Sequence, residues 1–168
     1  MKNETKKIAL MGILLALTIV LIMLERILPP LPFFPPNYKL GISNIIIMFT
    51  IFTIGTKEAF TLGILKAFFN MLLRGPTSGA MSLAGGLVSI ALIALLNKIL
   101  GDKVSLVFKS IVGAIGHNIG QLAMAIFLLG SFNFAIGFAP AMLIAGTLTG
   151  IVTGTAAKKI IPILRRLT

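Results

Sequence analysis

Long apolar segments recur along this chain with only short polar joints between them. The first, from Ile8 to Leu24, contains no charged residue. A helix of roughly 17 to 25 apolar residues is long enough to cross the hydrocarbon core of a bilayer. Hydrophobic residues make up 57% of the sequence and charged residues 11%, so no soluble domain of useful size remains. The pattern predicts an integral membrane protein with a single transmembrane domain over residues 1–168.

The apolar segments predict six transmembrane helices and therefore an all-α bundle. Their approximate bounds are Ile8–Leu24, Leu40–Ile54, Lys57–Leu73, Gly79–Leu96, Leu106–Leu129 and Phe134–Ile160. The second and third helices are short and are joined by a tight turn at residues 55–57, where Gly55 favours a break in the helix.

The basic residues, which give a net charge of +11, fall mostly on one side of the predicted bundle. That side holds Lys2, Lys6, Lys7, Lys57, Lys98, Lys103, Lys109, Lys158, Lys159, Arg165 and Arg166. The opposite side holds only Arg26, Lys39 and Arg74. Because lysine and arginine concentrate in cytoplasmic joints, both termini are predicted to be cytoplasmic. The same placement argues against nucleic acid as the partner of these charges.

The outer segment from Ile27 to Gly41 contains five prolines. Proline restricts the backbone to extended or turn geometry and prevents a helix from continuing. The apolar and aromatic side chains of this segment are Leu31, Phe33, Phe34 and Tyr38. They fit two interpretations, a lid over an outer site and an anchor at the depth of the lipid headgroups, and the sequence does not decide between them.

Three polar residues of the third helix, Lys66, Asn70 and Arg74, are spaced four apart and therefore share one face. Such a face is costly against lipid, so we expect it to line the bundle interior or an outer cavity. Two cations and an amide form a surface that accepts anions. The alternative is that Lys66 and Arg74 extend to opposite membrane interfaces.

The fifth helix carries the only histidine of the chain, His117, beside Asn118 and Gln121. His117 and Gln121 are four residues apart and share a face, whereas Asn118 points about 100° away. These groups suit hydrogen bonds to a ligand or to a neighbouring helix, and for Asn118 the interhelical role ranks slightly ahead. One histidine without cysteine or an intramembrane carboxylate gives too few ligands for a metal, so no metal site is predicted.

Small residues form stripes on four helices, which allows close helix packing. The stripes are Ala9, Gly12 and Ala16 on the first helix; Ser82, Gly85, Gly86 and Ser89 on the fourth; Gly113, Gly116 and Gly120 on the fifth; and Gly146, Gly150 and Gly154 on the sixth. The sequence leaves open whether each stripe packs within the chain or against another protein.

The chain has only four acidic residues, and no two of them are paired. They are Glu4, Glu25, Glu58 and Asp102, of which Glu25 is expected to lead into the outer segment. The carboxylate cluster that holds magnesium and a diphosphate is missing, as is a Gly-x-x-x-x-Gly-Lys-Ser/Thr loop for ATP. No nucleophile has a base at recognisable spacing. We therefore expect neither an enzyme nor a bound cofactor.

Four segments carry a resemblance to a known family. They are KLGISN (39–44), KEA (57–59), SLAGGLVS (82–89) and GAIGHNIGQL (113–122). The chain resembles the family named Gx transporter or "heptaprenyl diphosphate synthase component I", which is similar in size and six-helix layout to the substrate-binding S components of energy-coupling factor (ECF) transporters.

The resemblance implies a protein of the prokaryotic plasma membrane that binds a small molecule and associates with a coupling transmembrane subunit and two ATPases. S components dock through an Ala-x-x-x-Ala pattern on the first helix; here Gly12 and Ala16 occupy the matching places, with Ala9 on the same face. The hypothesis that follows is uptake of a small vitamin, cofactor precursor or related nutrient, and the polar side chains of the third helix predict that it is anionic. Lys66, Asn70 and Arg74 would receive the anion, and His117, Asn118 and Gln121 would orient it.

Two other hypotheses remain open. The family name is consistent with a non-catalytic membrane subunit of polyprenyl diphosphate or quinone synthesis. A carrier that works without an ATPase is the third interpretation, although a proton-coupled carrier usually needs a membrane carboxylate.

Overall fold

A computed structural model describes residues 4–27 and 41–165, which are helical apart from short turns and joints. Within these ranges there are six α-helices and one short 3-10 helix, Gly101–Lys103. The α-helices are α1 (Glu4–Ile27), α2 (Asn44–Thr53), α3 (Thr56–Arg74), α4 (Pro76–Leu100), α5 (Leu106–Leu129) and α6 (Phe132–Arg165). The prediction of an all-helical bundle is confirmed for this part of the chain. Leu31, Phe33, Phe34 and Tyr38, for which a lid was considered, lie outside the described residues.

Four of the described helices, α1, α4, α5 and α6, are long and apolar enough to cross a membrane. The other two differ for separate reasons. Helix α2 has only ten residues, and α3 includes Lys57, Glu58, Lys66 and Arg74 in its 19 residues. Six membrane crossings with both termini in the cytoplasm therefore remain a prediction.

The predicted bounds match α5 at both ends but are wrong where α1 and α2 face the outer segment. Helix α1 continues past Leu24 to Ile27, so Glu25 is helical. Helix α2 begins at Asn44 rather than at Leu40. Gly41 has a left-handed φ of 74°, a conformation that interrupts a helix and that glycine adopts at little cost. The amide of Asn44 then bonds the Gly41 carbonyl at 2.8 Å and closes a turn.

Helices α4, α5 and α6 pack with their backbones close together, because glycines lie at the points of contact. A Cβ atom placed on Gly120 of α5 would lie 2.7 Å from the Ala84 carbonyl oxygen of α4. A Cβ atom on Gly150 of α6 would lie 2.6 Å from the Cα atom of Ile111 in α5. The glycine stripes of α5 and α6 therefore contact helices of the same chain.

Helix α1 lies at the edge of the bundle. Leu14 enters a core cluster with Ile47, Ile51 and Leu62, while Ala9, Gly12 and Ala16 are exposed. The contacts of α1 lie at two opposite ends of the bundle: the terminal end, near the N-terminus, and the loop end, where the last turn of α1 lies. At the terminal end, Lys7 Nζ pairs with Glu58 Oε1 of α3 at 2.5 Å. At the loop end, the last turn of α1 lies beside the start of α2 and the end of α3.

Candidate functional site

The polar residues of α3 line the interior of the bundle, as their spacing predicts. Lys66 and Asn70 are buried and Arg74 is partly buried. Lys66 Nζ donates a hydrogen bond to Asn44 Oδ1 at the start of α2. Its ammonium group is thus held inside the protein and does not extend to a membrane interface.

Each residue of this stripe bonds to a different helix. While Lys66 reaches α2, the Asn70 amide donates to Ser82 Oγ of α4 at 2.9 Å. Arg74 Nη2 donates to the Ile22 carbonyl oxygen of α1 at 3.1 Å. The stripe therefore joins α1, α2 and α4 at the loop end.

Glu25, which was expected to lead into the outer segment, is instead a buried residue of α1. It is in the last turn of α1, 8% exposed, and its Oε1 atom accepts a hydrogen bond from the backbone amide of Ser43 at 3.1 Å. Its negative charge acts favourably on Lys66. The site consequently contains an acidic residue that was expected in the outer segment.

A signal for Glu25 was present in the sequence. Leu14, Thr18 and Ile22 are the buried positions of α1, at spacings of four residues, and Glu25 follows three residues later on the same face. Continuing the helix by one turn would have placed its carboxylate in the interior. Asn44 and Ser82 were likewise missed as partners, because only the packing of α2 and α4 against α3 identifies them.

His117 and Gln121 share a buried face of α5, as predicted. Their Nε2 atoms are 3.2 Å apart, and each residue is at most 5% exposed. Asn118 points to another neighbour, and its Nδ2 atom donates to the Met142 carbonyl oxygen of α6. The predicted split of this segment into two directions is therefore confirmed, and Asn118 forms the interhelical bond that was considered for it.

The polar faces of α3 and α5 come together on α4. Asn70 bonds to Ser82, and His117 lies against Gly85, where a Cβ atom would be 2.8 Å from its Nδ1 atom. Ser82 and Gly85 are three residues apart and occupy one face of α4. Glycine at position 85 allows the imidazole to lie directly on the α4 backbone.

Three buried polar atoms at the loop end have no hydrogen-bond partner within the residues described. They are Glu25 Oε2, Ser78 Oγ and Gln121 Oε1. Ser78 lies one turn before Ser82 on the same face of α4. Buried polar atoms are normally paired, and leaving one unpaired costs about 1–3 kcal/mol. These atoms are available to the hydrogen-bonding groups of a bound molecule or of water.

No group of three or more histidine, cysteine, aspartate or glutamate residues occurs among the described residues. The residues brought together at the loop end offer hydrogen bonds and charge rather than a set of metal ligands. The prediction of no metal site rests on the ligand argument from the sequence.

Lys109 was assigned from the sequence to the basic residues of the joint before the fifth helix, but its side chain is buried. It lies in the first turn of α5 and is 2% exposed. Its Nζ atom donates to Asn97 Oδ1 at 2.7 Å and lies 5.2 Å from the centre of the Phe52 ring. The hydrogen bond to the Asn97 amide and the cation–π contact with the Phe52 ring explain how a buried lysine is accommodated there. This second buried cation is remote from the α3 stripe, toward the terminal end.

Comparisons with known proteins give a fold and a family. The chain is similar to a solved S component of a bacterial ECF transporter, with a TM-score of 0.74 and 21% sequence identity, over 96% of this chain and 99% of that one. At this identity the likeness establishes the fold. A comparison with curated proteins found no match. The sequence pattern of the family "Heptaprenyl diphosphate synthase component I" matches residues 14–160. The chain therefore belongs to the family described as heptaprenyl diphosphate synthase component I.

Proposed function

We propose that this protein is the membrane-embedded substrate-binding subunit of an ECF-type transporter. Its cargo would be a small anionic vitamin, cofactor precursor or related nutrient. The likeness of fold to an S component supports this proposal, as does the lack of a phosphate-binding loop for ATP in the sequence. We propose that it is not an enzyme and that energy comes from a coupling subunit with two ATPases.

The observation that carries the proposal is the meeting of two polar faces on α4. Lys66 and Asn70 approach from α3, and His117 and Gln121 from α5. Polar groups at such depth are expensive in a membrane protein and usually serve a function. The contacts at Ser82 and Gly85 bring them within a single region at the loop end, as a binding site requires.

The side chains have complementary roles in the proposed site. The Arg74 guanidinium bonds the Ile22 carbonyl, and its positive charge would receive the anionic group. Asn70, His117 and Gln121 would orient the molecule by hydrogen bonds. We leave Asn118 out of the proposed site because its amide bonds Met142 in α6.

The topology and docking surface complete the proposal. All six helices would lie in the prokaryotic plasma membrane with both termini in the cytoplasm, so that the loop end faces outward. The exposed Ala9, Gly12 and Ala16 would face the coupling subunit. The aromatic side chains of the segment from Ile27 to Gly41 would cover the site. This covering role stays a prediction from the sequence.

The name of the family favours a second candidate function. A "component I" of heptaprenyl diphosphate synthase would be a non-catalytic membrane subunit that assembles with a soluble prenyl synthase. The two functions differ in the proteins that accompany the chain. An ATPase module belongs to the first, and a prenyl synthase belongs to the second.

Native mass spectrometry of the protein purified from its own host in mild detergent tests the proposal. We expect a retained small molecule and a retained ATPase module. A complex with a prenyl synthase and without ATPases would contradict the transport function and favour the alternative.

Substitution of the two cations tests the anion preference. We expect Arg74→Gln and Lys66→Met each to lower the affinity for the retained molecule about tenfold or more, because each removes a positive charge from the site. Lys109→Met is the matched control, since it removes a buried cation outside the site, and its affinity should be unchanged. Equal affinity of all three variants and the wild type, measured by isothermal titration calorimetry, would refute the anion-binding role.

A further inference from the structure

The Glu25 carboxylate has a hydrogen-bonding capacity that the described part of the protein does not use. One oxygen, Oε1, accepts from the Ser43 amide. The other, Oε2, is buried and has no partner there. A carboxylate oxygen accepts hydrogen bonds and is poorly tolerated in the interior without a donor. An N–H or O–H group from outside the chain would satisfy it.

The hydrogen bonds described for the two cations at the loop end go to groups other than Glu25. Lys66 Nζ donates to Asn44 Oδ1. Arg74 Nη2 donates to the carbonyl of Ile22, three residues before Glu25 on the same face of α1. The charge of Lys66 therefore offsets that of Glu25, and the Glu25 Oε2 atom stays open among the described residues.

Three charged side chains that the structure describes at the loop end favour a negatively charged substrate. Glu25 contributes one negative charge, and Lys66 and Arg74 contribute one positive charge each, so the three side chains leave a single positive charge. One negative charge on the substrate balances it.

We propose that Glu25 is a substrate-binding residue, and that the substrate is an anion which also directs an N–H or O–H donor at the Glu25 carboxylate. The proposal rests on the function proposed above and narrows its substrate class. Gln121 Oε1 and Ser78 Oγ, both buried and without a hydrogen-bond partner in the described part of the chain, supply further positions for polar groups of the same molecule. An anion without a donor group would leave Glu25 Oε2 unpaired and should bind poorly.

The variant Glu25→Gln separates this proposal from simple anion binding. Glutamine has the same shape, and its oxygen can still accept a hydrogen bond from the Ser43 amide. Its NH₂ group would replace the open oxygen, and because this group is itself a donor it cannot accept a hydrogen bond from the substrate. If the site selects only for negative charge, loss of the Glu25 charge should strengthen binding. If the substrate donates to Glu25, binding should weaken about tenfold or more.

The probe is a protein-free small-molecule extract of bacterial cells, dialysed to equilibrium against the detergent-solubilised protein and read by mass spectrometry. We expect wild type to enrich an anionic compound that gains mass in D₂O through at least one exchangeable hydrogen. Enrichment should fall about tenfold with Glu25→Gln. It should persist with the control Glu58→Gln, whose carboxylate lies at the terminal end. Circular dichroism verifies that the variants are folded.

Two results would overturn the inference. One is an enriched compound without exchangeable hydrogen, a result that needs only the wild-type protein and does not depend on whether a variant folds. The other is equal or stronger enrichment by folded Glu25→Gln. Both would leave the proposed function intact. If wild type enriches nothing from the extract, the proposed function itself is contradicted.

Discussion

Small residues form similar stripes on α1 and on α5, yet the two stripes have opposite surroundings. On α5, Gly113, Gly116 and Gly120 contact α4 so closely that an added Cβ atom would lie 2.3–2.7 Å from its nearest neighbour. On α1, no atom lies within 4 Å of a Cβ atom added to Gly12. An open groove of about 430 Å³ lies beside Gly12, between α1 and α3.

The difference shows that stripes of small residues have two kinds of surroundings in this bundle. Within α4–α6 such a stripe lets helices of the same chain approach to backbone contact, where dispersion forces and weak hydrogen bonds act. On α1 the same pattern leaves a flat exposed surface. A partner helix that approached it would find no side chain in the way, which supports the docking role proposed for Ala9, Gly12 and Ala16.

The largest expected effect is on the packed stripe. Gly120→Leu forces a side chain into the Ala84 and Gly85 backbone and should destabilise the protein by about 3 kcal/mol or more. For a chain of this length that corresponds to a melting temperature lower by roughly 6–12 °C. Circular dichroism at 222 nm during heating in detergent measures it. Gly12→Leu is the matched control, and an equal loss there would abolish the contrast between the stripes.

The second prediction concerns the open stripe. Gly12→Leu should leave the melting temperature within about 2 °C of wild type and lower co-purification with the ATPase module about tenfold, because leucine fills a surface meant for a close helix contact. Gly86→Leu is the control, since Gly86 is another glycine without a neighbour within 4 Å but lies on α4. Undiminished co-purification of Gly12→Leu would remove α1 from the docking surface.

Much of the fold follows from the sequence because membrane helices are encoded locally. Apolar length located the helices, and for α5 it located both ends. The errors occur at helix ends, where the length of an apolar run does not give the boundary of the helix. The apolar run of α1 stops before Glu25, yet backbone hydrogen bonds continue the helix to Ile27. At α2, the left-handed Gly41 delays the start of an otherwise apolar segment.

The residues of the candidate site were predicted as two separate groups, but the contacts that bring the two groups together were not predicted. Spacing placed Lys66 with Asn70, and His117 with Gln121, since residues four apart share a helix face. The partners Asn44 and Ser82 come from other helices, and no rule of spacing connects residues 22 and 12 positions away. Lys109 shows the same limit, because its burial depends on Asn97 and Phe52.

The smallest expected effect concerns the way α1 is attached at the terminal end. Lys7 and Glu58 form an ion pair whose side chains are 30% and 18% exposed, and such partly hydrated pairs contribute little to stability. Glu58→Gln should therefore lower the melting temperature by no more than about 2 °C, and 1 M salt should remove most of the difference by screening. A loss as large as that of Gly120→Leu, measured in the same detergent, would mean that α1 is fixed at this end by charge. The other contacts described for α1 are the apolar cluster around Leu14 and the hydrogen bonds of Ile22 and Glu25. A small effect of Glu58→Gln would therefore mean that polar contacts hold α1 mainly at the loop end. In the proposed transporter, substrate that engages Arg74 or Glu25 would then act on the same helix that carries Gly12, the residue proposed to face the coupling subunit.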